Sequence, residues 1–152
     1  MEALGLVTVR LVDLHAVRTA GRRRDLARLV RNIGDNAVRH ARSTVSISLT
    51  ELAGDAVITI ANDGIPIPAE DRLRIFDRFT RLDPARARSA ATGDSGSGLG
   101  LAIASEIATS HGGRITTKSP DGYDGAVFLV SLPVRPTVTD GAAEVRVLNR
   151  RV

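Results

Sequence analysis

Five runs rich in β-branched residues lie at 6–12 (LVTVRLV), 45–51 (VSISLTE), 56–62 (AVITIAN), 114–118 (RITTK) and 126–132 (AVFLVSL). Between them, helical periodicity is strong over about 23–41 and 99–110 and weak over 69–79. The resulting order is strand, helix, strand, strand, helix, loop, helix, strand, strand. Each element has one apolar face to bury, and this order does so by laying helices across one side of a sheet. The pattern therefore predicts an α+β domain of two layers, with a mixed, roughly five-stranded sheet and about three helices on one face. No internal repeat competes with that reading.

The 152 residues, 43% of them hydrophobic and 25% charged, suffice for a single domain with a real core. No run approaches the roughly 20 apolar residues of a membrane span, and the N-terminus lacks the pattern of a signal peptide. The chain has no cysteine, so disulfide and thiolate chemistry are excluded, and a cytoplasmic location is expected. The net charge is +4, and of the 21 basic residues only Lys118 is lysine. The arginines are interspersed with 17 acids and aromatics make up only 3%, which argues against a base-stacking surface and against nucleic acid as a partner.

The stretch GDSGSGLGLAIASEI (93–107) joins a glycine run to the start of an apolar helical stripe made by Leu99, Ala102, Ile103 and Ile107. Glycine lets backbone N–H groups approach a ligand, and a helix start favours anions, so the pair suggests a phosphate cradle. It is not a P-loop, because Leu99 stands where that motif requires lysine. Nor is it a dinucleotide fingerprint, because position 101 is leucine and the preceding ARARSAATGDS reads as loop rather than strand. Residues 80–97 have the length of a lid.

In the first helix, Leu26, Leu29, Val30, Ile33 and Ala37 form the stripe expected to face the core. Asn32, Asn36, Arg39 and His40 form a second, polar stripe, turned about 100° from Ile33. Asn32, Gly34 and Asn36 crowd three poor mid-helix residues into one turn, each costing roughly 0.5–1 kcal/mol relative to alanine. Two amide oxygens one turn apart suit Mg²⁺, which keeps most of its waters and takes one or two protein oxygens. Beyond the third strand, Asn62 shares parity with Ile58 and Ile60. A short polar side chain there, beside Gly64, could read the edge of a base, although N-D-G is also an ordinary turn signal.

Taken together and in order, these segments resemble the ATP-binding catalytic domain of sensor histidine kinases, of the HATPase type, in the gyrase, chaperone, histidine kinase and mismatch-repair superfamily. Asn32-Ile33-Gly34-Asp35-Asn36-Ala37 resembles the N box, and Asn62 to Pro68 (NDGIPIP) the first glycine box. Arg74-Ile75-Phe76-Asp77-Arg78-Phe79 resembles the F box, and Gly96-Ser97-Gly98-Leu99-Gly100-Leu101 the second glycine box. His111-Gly112-Gly113 and Leu132-Pro133 also match, so the resemblance covers about 22–133.

The resemblance implies a Bergerat-type α/β sandwich, here residues 1–133, with a lid at 80–97 and a tail at 134–152 in which EVRVL (144–148) could form a further strand. It implies ATP and Mg²⁺ as ligands, with Asn36 and Asn32 on the metal. Arg39 is expected near phosphate, and His40 where the family often has tyrosine. Asn62 stands at the adenine-reading place, where aspartate is usual, followed by Gly64. Gly96, Gly98, Leu99, Gly100 and Leu101 form the phosphate-side hinge, while Phe76 and Phe79 anchor the base of the lid.

Hydrolytic branches of the superfamily carry a glutamate base four residues before the metal-binding asparagine. That place is Asn32 here, so the resemblance implies a phosphoryl donor rather than an efficient ATPase. The acceptor histidine is expected in trans, on a histidine-bearing dimerisation domain or subunit, with a response regulator receiving phosphate indirectly. This chain is expected to be monomeric in isolation and to make no membrane contact itself. His15, in LHAVRT, lies too close to Asn32 to sit on an acceptor hairpin, and His111 reads as a helix-end residue. The alternatives are an anti-sigma-factor-type serine kinase, or a degenerate docking module that no longer holds ATP.

Overall fold

The computed structural model describes residues 5–78, 98–119 and 124–134. Its elements are β1 (Thr8–Leu14), α1 (Arg23–His40), β2 (Thr44–Leu52), β3 (Asp55–Asn62), two 3-10 turns (Ala69–Asp71 and Arg74–Phe76), α2 (Gly100–Ser110), β4 (Arg114–Lys118) and β5 (Ala126–Pro133). The five strands form one sheet in the order β1-β2-β3-β5-β4. β1 runs parallel to β2, and the remaining pairs are antiparallel. A parallel neighbour requires a crossover, which α1 supplies; β2 and β3 are joined by the tight Ala53-Gly54 turn. The mixed two-layer architecture expected from the order of elements is the one observed.

α1 forms because its apolar residues recur at helical spacing. Leu29, Ile33 and Ala37 are fully buried, while Asp25 in the first turn and Arg39 and His40 in the last complement the helix dipole. The helix lies over β2 and β3, and α2 lies over β4 and β5. Val45, Ile60, Phe128, Val130 and Leu132 rise from the sheet to meet them. Burying a side chain such as Phe128 contributes about 1.5–3 kcal/mol.

The helices run antiparallel, and α2 is tied at both of its ends to the entry and the middle of α1. Asn32 Nδ2 donates to the Gly100 carbonyl at 3.1 Å, and the Arg22 N–H donates to His111 Nε2 at 3.2 Å. His111 Nδ1 lies 2.7 Å from the Ile107 carbonyl, so the ring closes the end of α2 and holds the entry to α1 together. It is a helix-end residue with a second partner across the layer.

Two details differ from the sequence pattern. The weak helical signal over 69–79 resolves into two 3-10 turns as far as Arg78, because Ile75 is buried while Leu73 is 86% exposed. Without a continuous apolar stripe, a longer helix has too little packing to hold it. β1 lies two residues later than its alternation suggested, and all seven of its residues are exposed. As a strand paired on one side only, it takes its register from the ladder with β2, where Val9 stands opposite Val45 and Leu11 opposite Ile47. Phe79, the expected lid at 80–97 with its Gly96, and EVRVL in the tail lie outside the described residues.

Candidate functional site

β3 delivers Asn62 to the helix-facing side of the sheet, in step with Ile60, and leaves it 1% exposed. Its Oδ1 accepts the Gly64 N–H at 3.0 Å and faces the Ala126 N–H at 3.5 Å. A buried amide held by backbone donors is a fixed polar mark in an apolar wall, as a base-reading position requires. Ile67 and Ile75, from the segment that follows, are 8% and 6% exposed and belong to the buried apolar core. The sequence reading did not single them out, although their setting in the NDGIPIP and RIFDRF stretches was a usable signal.

Gly64 has a steric purpose that the sequence did not reveal. A Cβ at that position would lie 1.9 Å from the His40 carbonyl oxygen and 3.1 Å from Asn62 Oδ1. The missing side chain lets the end of α1 seat directly on the turn after β3. His40 has an exposed side chain. Desolvation by the surrounding protein, followed by the Arg39 charge, keeps its pKa below the ordinary 6.5.

Asp63 points away from Asn62, as strand parity demands, and staples the α1–β2 connection. Its carboxylate accepts from the Arg42 N–H at 2.8 Å, the Ser43 N–H at 3.0 Å and the Ser43 hydroxyl at 2.6 Å. The Ser43 hydroxyl, and then the amides around it, hold this carboxyl well below its ordinary 3.8. A carboxyl whose folded pKa is depressed contributes stability that is present above the unfolded value and is lost as pH falls through the folded one. Asp63→Asn is therefore expected to melt below the wild type at neutral pH, with a gap that narrows once the pH drops under 3.8. Melting curves recorded from pH 6 down to about 2.5 check this; a constant gap would remove the carboxylate as its cause.

The third wall is the start of α2. Gly98 has φ +69°, a left-handed conformation that glycine adopts without strain, and it turns the chain into the helix at Leu99. Among the described residues no side chain caps this start, and the first turn holds no acid. The first backbone N–H groups of a helix have no partners within it, so an uncapped start offers donors to an anion. Leu101 packs against the core and fixes the turn from below.

The Asn32–Gly100 hydrogen bond brings this start against the polar stripe of α1, and Gly64 seats the end of the same helix on the turn after Asn62. Asn32 uses its nitrogen to reach Gly100, which leaves its oxygen to face elsewhere. Asn36 is half-buried and makes no side-chain hydrogen bond among the described residues. Arg39 is exposed and forms no ion pair among them.

Two neutral amide oxygens beside N–H donors that have no partner among the described residues fit a hydrated Mg²⁺ carried in on phosphates. They do not make a free-standing metal cage, and no group of three His, Cys, Asp or Glu that could hold a metal exists among the described residues. Phe76 is half-buried against the core, and the Arg78–Glu106 ion pair ties its segment to α2.

The family model for histidine kinase-, DNA gyrase B-, and HSP90-like ATPases matches residues 21–136, and the chain belongs to that family. It is 40% identical over 130 residues to the signal transduction histidine-protein kinase AfsQ2 of Streptomyces coelicolor, covering 83% of this chain and 23% of that protein. To the sensor protein VanS of Enterococcus faecium it is 44% identical over 117 residues, covering 76% of this chain and 29% of that one. The chain thus spans about a quarter of the length of these relatives. Among solved structures, it matches the mycobacterial sensor histidine kinase MprB with a TM-score of 0.72 at 29% identity, over 86% of this chain and 83% of that one. The ATP-binding domain of PrrB from Mycobacterium tuberculosis matches with a TM-score of 0.65 at 26% identity, over 86% and 82% of the two chains. No described helix is long and apolar enough to cross a membrane.

Proposed function

We propose that this chain is the ATP-binding catalytic part of a two-component sensor histidine kinase, transferring the γ-phosphate of ATP to a histidine on a separate dimerisation domain. The observation that carries the reading is the Asn32–Gly100 hydrogen bond, which sets the polar stripe of α1 against the uncapped start of α2. In this arrangement Asn62 marks the base end. The N–H groups at the start of α2 face the phosphates, and the Asn36 and Asn32 oxygens take the cation that accompanies them. Mg²⁺, when bound, neutralises the charge that builds on the transferring phosphoryl group. Arg39 adds a cation at the rim. Gly96, Gly98 and the lid belong to the same reading as the hinge on the phosphate side.

Asn32 is neutral and has committed its nitrogen to Gly100, so it offers a water no proton acceptor near pH 7. Catalysis is then mostly positioning, with the nucleophile supplied by the partner. The test incubates the chain with Mg²⁺, γ-labelled ATP and the separately purified dimerisation domain of AfsQ2 or VanS. Label that moves to that domain, is lost in acid and survives base supports the reading. Acid-stable label points to serine transfer, and the absence of ATP binding by the folded chain overturns the nucleotide site itself.

A further inference from the structure

The flank of α1 turned away from Asn32 carries Ala27, Val30, Gly34 and Val38 at helical spacing. Ala27 is exposed, Val30 half-buried and Val38 39% exposed. β1, at the edge of the sheet beside β2, has exposed apolar residues of its own. Its register puts Val9, Leu11 and Leu14 opposite Val45, Ile47 and Leu49, so they point to the face on which the helices lie. α1 sits over β2 and β3, however, which leaves Leu11 65% and Leu14 53% exposed. Thr19, Gly21, Leu26, Ala27 and Val30 line a shallow, open depression on this flank, together with Arg23 and Arg31. Neither arginine forms an ion pair among the described residues.

Gly34 adds an independent observation. A mid-helix glycine costs about 1 kcal/mol relative to alanine. Here a Cβ would meet nothing within 4 Å among the described residues, so packing against them does not explain the residue. A glycine on an outer flank does, however, let another backbone come close.

We propose that this flank docks an acidic amphipathic helix of a partner protein, with its apolar side on Ala27, Val30, Gly34 and Val38 and its carboxylates on Arg23 and Arg31. Charge decides among the possible occupants. A second copy of the chain is itself basic at +4. The segment 135–152 carries Arg135, Arg146, Arg150 and Arg151 against Asp140 and Glu144. Both would bring cations to cations. The surface lies on the opposite flank of α1 from the nucleotide residues, so the proposal stands or falls separately from the kinase reading.

The probe is a labelled synthetic leucine–glutamate amphipathic helix of about five turns, long enough to cover the flank. It is titrated into the full chain without nucleotide, by anisotropy and by amide shift mapping. Saturable binding that weakens with salt, shifts amides around Ala27, Gly34 and Val38, and falls at least tenfold in Gly34→Leu and in Arg23→Glu/Arg31→Glu supports the proposal. Leucine is the better helix former, so loss of binding in Gly34→Leu cannot be laid to failed folding, and a melting curve verifies this.

Equal binding of a leucine–lysine helix overturns the proposal, as do shifts elsewhere on the surface. Concentration-dependent self-association through the same amides would assign the flank to a second copy. Shifts there on deleting 135–152 would assign it to the chain's own C-terminal segment. Either result also overturns the proposal.

Discussion

Asn36→Ala is expected to weaken Mg²⁺–ATP binding roughly 10- to 100-fold, corresponding to about 1.5–3 kcal/mol for a polar contact to a charged group. The fold is expected to survive. Asn36 makes no side-chain hydrogen bond among the described residues, and alanine is the stronger helix former. Calorimetric titration with and without Mg²⁺ checks both parts. The wild type should lose affinity when the metal is withheld, while the variant should respond little, since the lost oxygen acts through the cation. An equal loss in both conditions would place Asn36 against the nucleotide rather than the metal. Unchanged binding would remove it from the site.

Gly64→Ala is expected to be the most damaging small substitution in the site. The added carbon would lie 1.9 Å from one backbone oxygen and 2.9 Å from the carbon bonded to it, both in the His40 carbonyl. No flexible side chain can yield there, so the end of α1 or the turn after β3 must move. Overpacking against rigid backbone costs about 1–3 kcal/mol or more, which for a domain of this size lowers the melting temperature by roughly 3–15 °C. The same movement displaces Asn62, whose Oδ1 would lie 3.1 Å from the new carbon, so ATP affinity should fall as well. Gly34→Ala serves as the control, because nothing among the described residues lies within 4 Å of its Cβ position and its melting temperature should rise. A Gly64→Ala protein that melts like the wild type would mean that the close approach is not maintained in solution.

Much of this arrangement was legible before any coordinates. The buried stripe Leu29, Ile33 and Ala37, the parity of Asn62 with Ile60, and the paired amides of Asn32 and Asn36 all follow from periods of 3.6 and 2. These features are local, and a local rule reads them. The shortfalls are equally specific. The weak pattern over 69–79 looked helical because periodicity cannot tell an apolar residue that finds a core, such as Ile75, from one that does not, such as Leu73. Asp63 read as part of a turn signal, whereas it is the staple between Ser43 and the end of β3. Gly64 stood out only as a neighbour of Asn62, and its close approach to the His40 carbonyl came from the tertiary structure.

The sequence by itself determined the order and type of the elements, the face each one buries and the polar residues left over. Those properties depend on neighbours within a turn or two of the same chain. Only the tertiary structure decided which leftovers meet. Asn32 reaches Gly100 across 68 positions, Arg22 reaches His111 across 89, and Asn62 faces Ala126 across 64. Such pairings depend on strand order and helix placement, which many sequences with the same local pattern could arrange otherwise. In this chain, close packing of α1 against α2 and the end of β3 fixes those pairings.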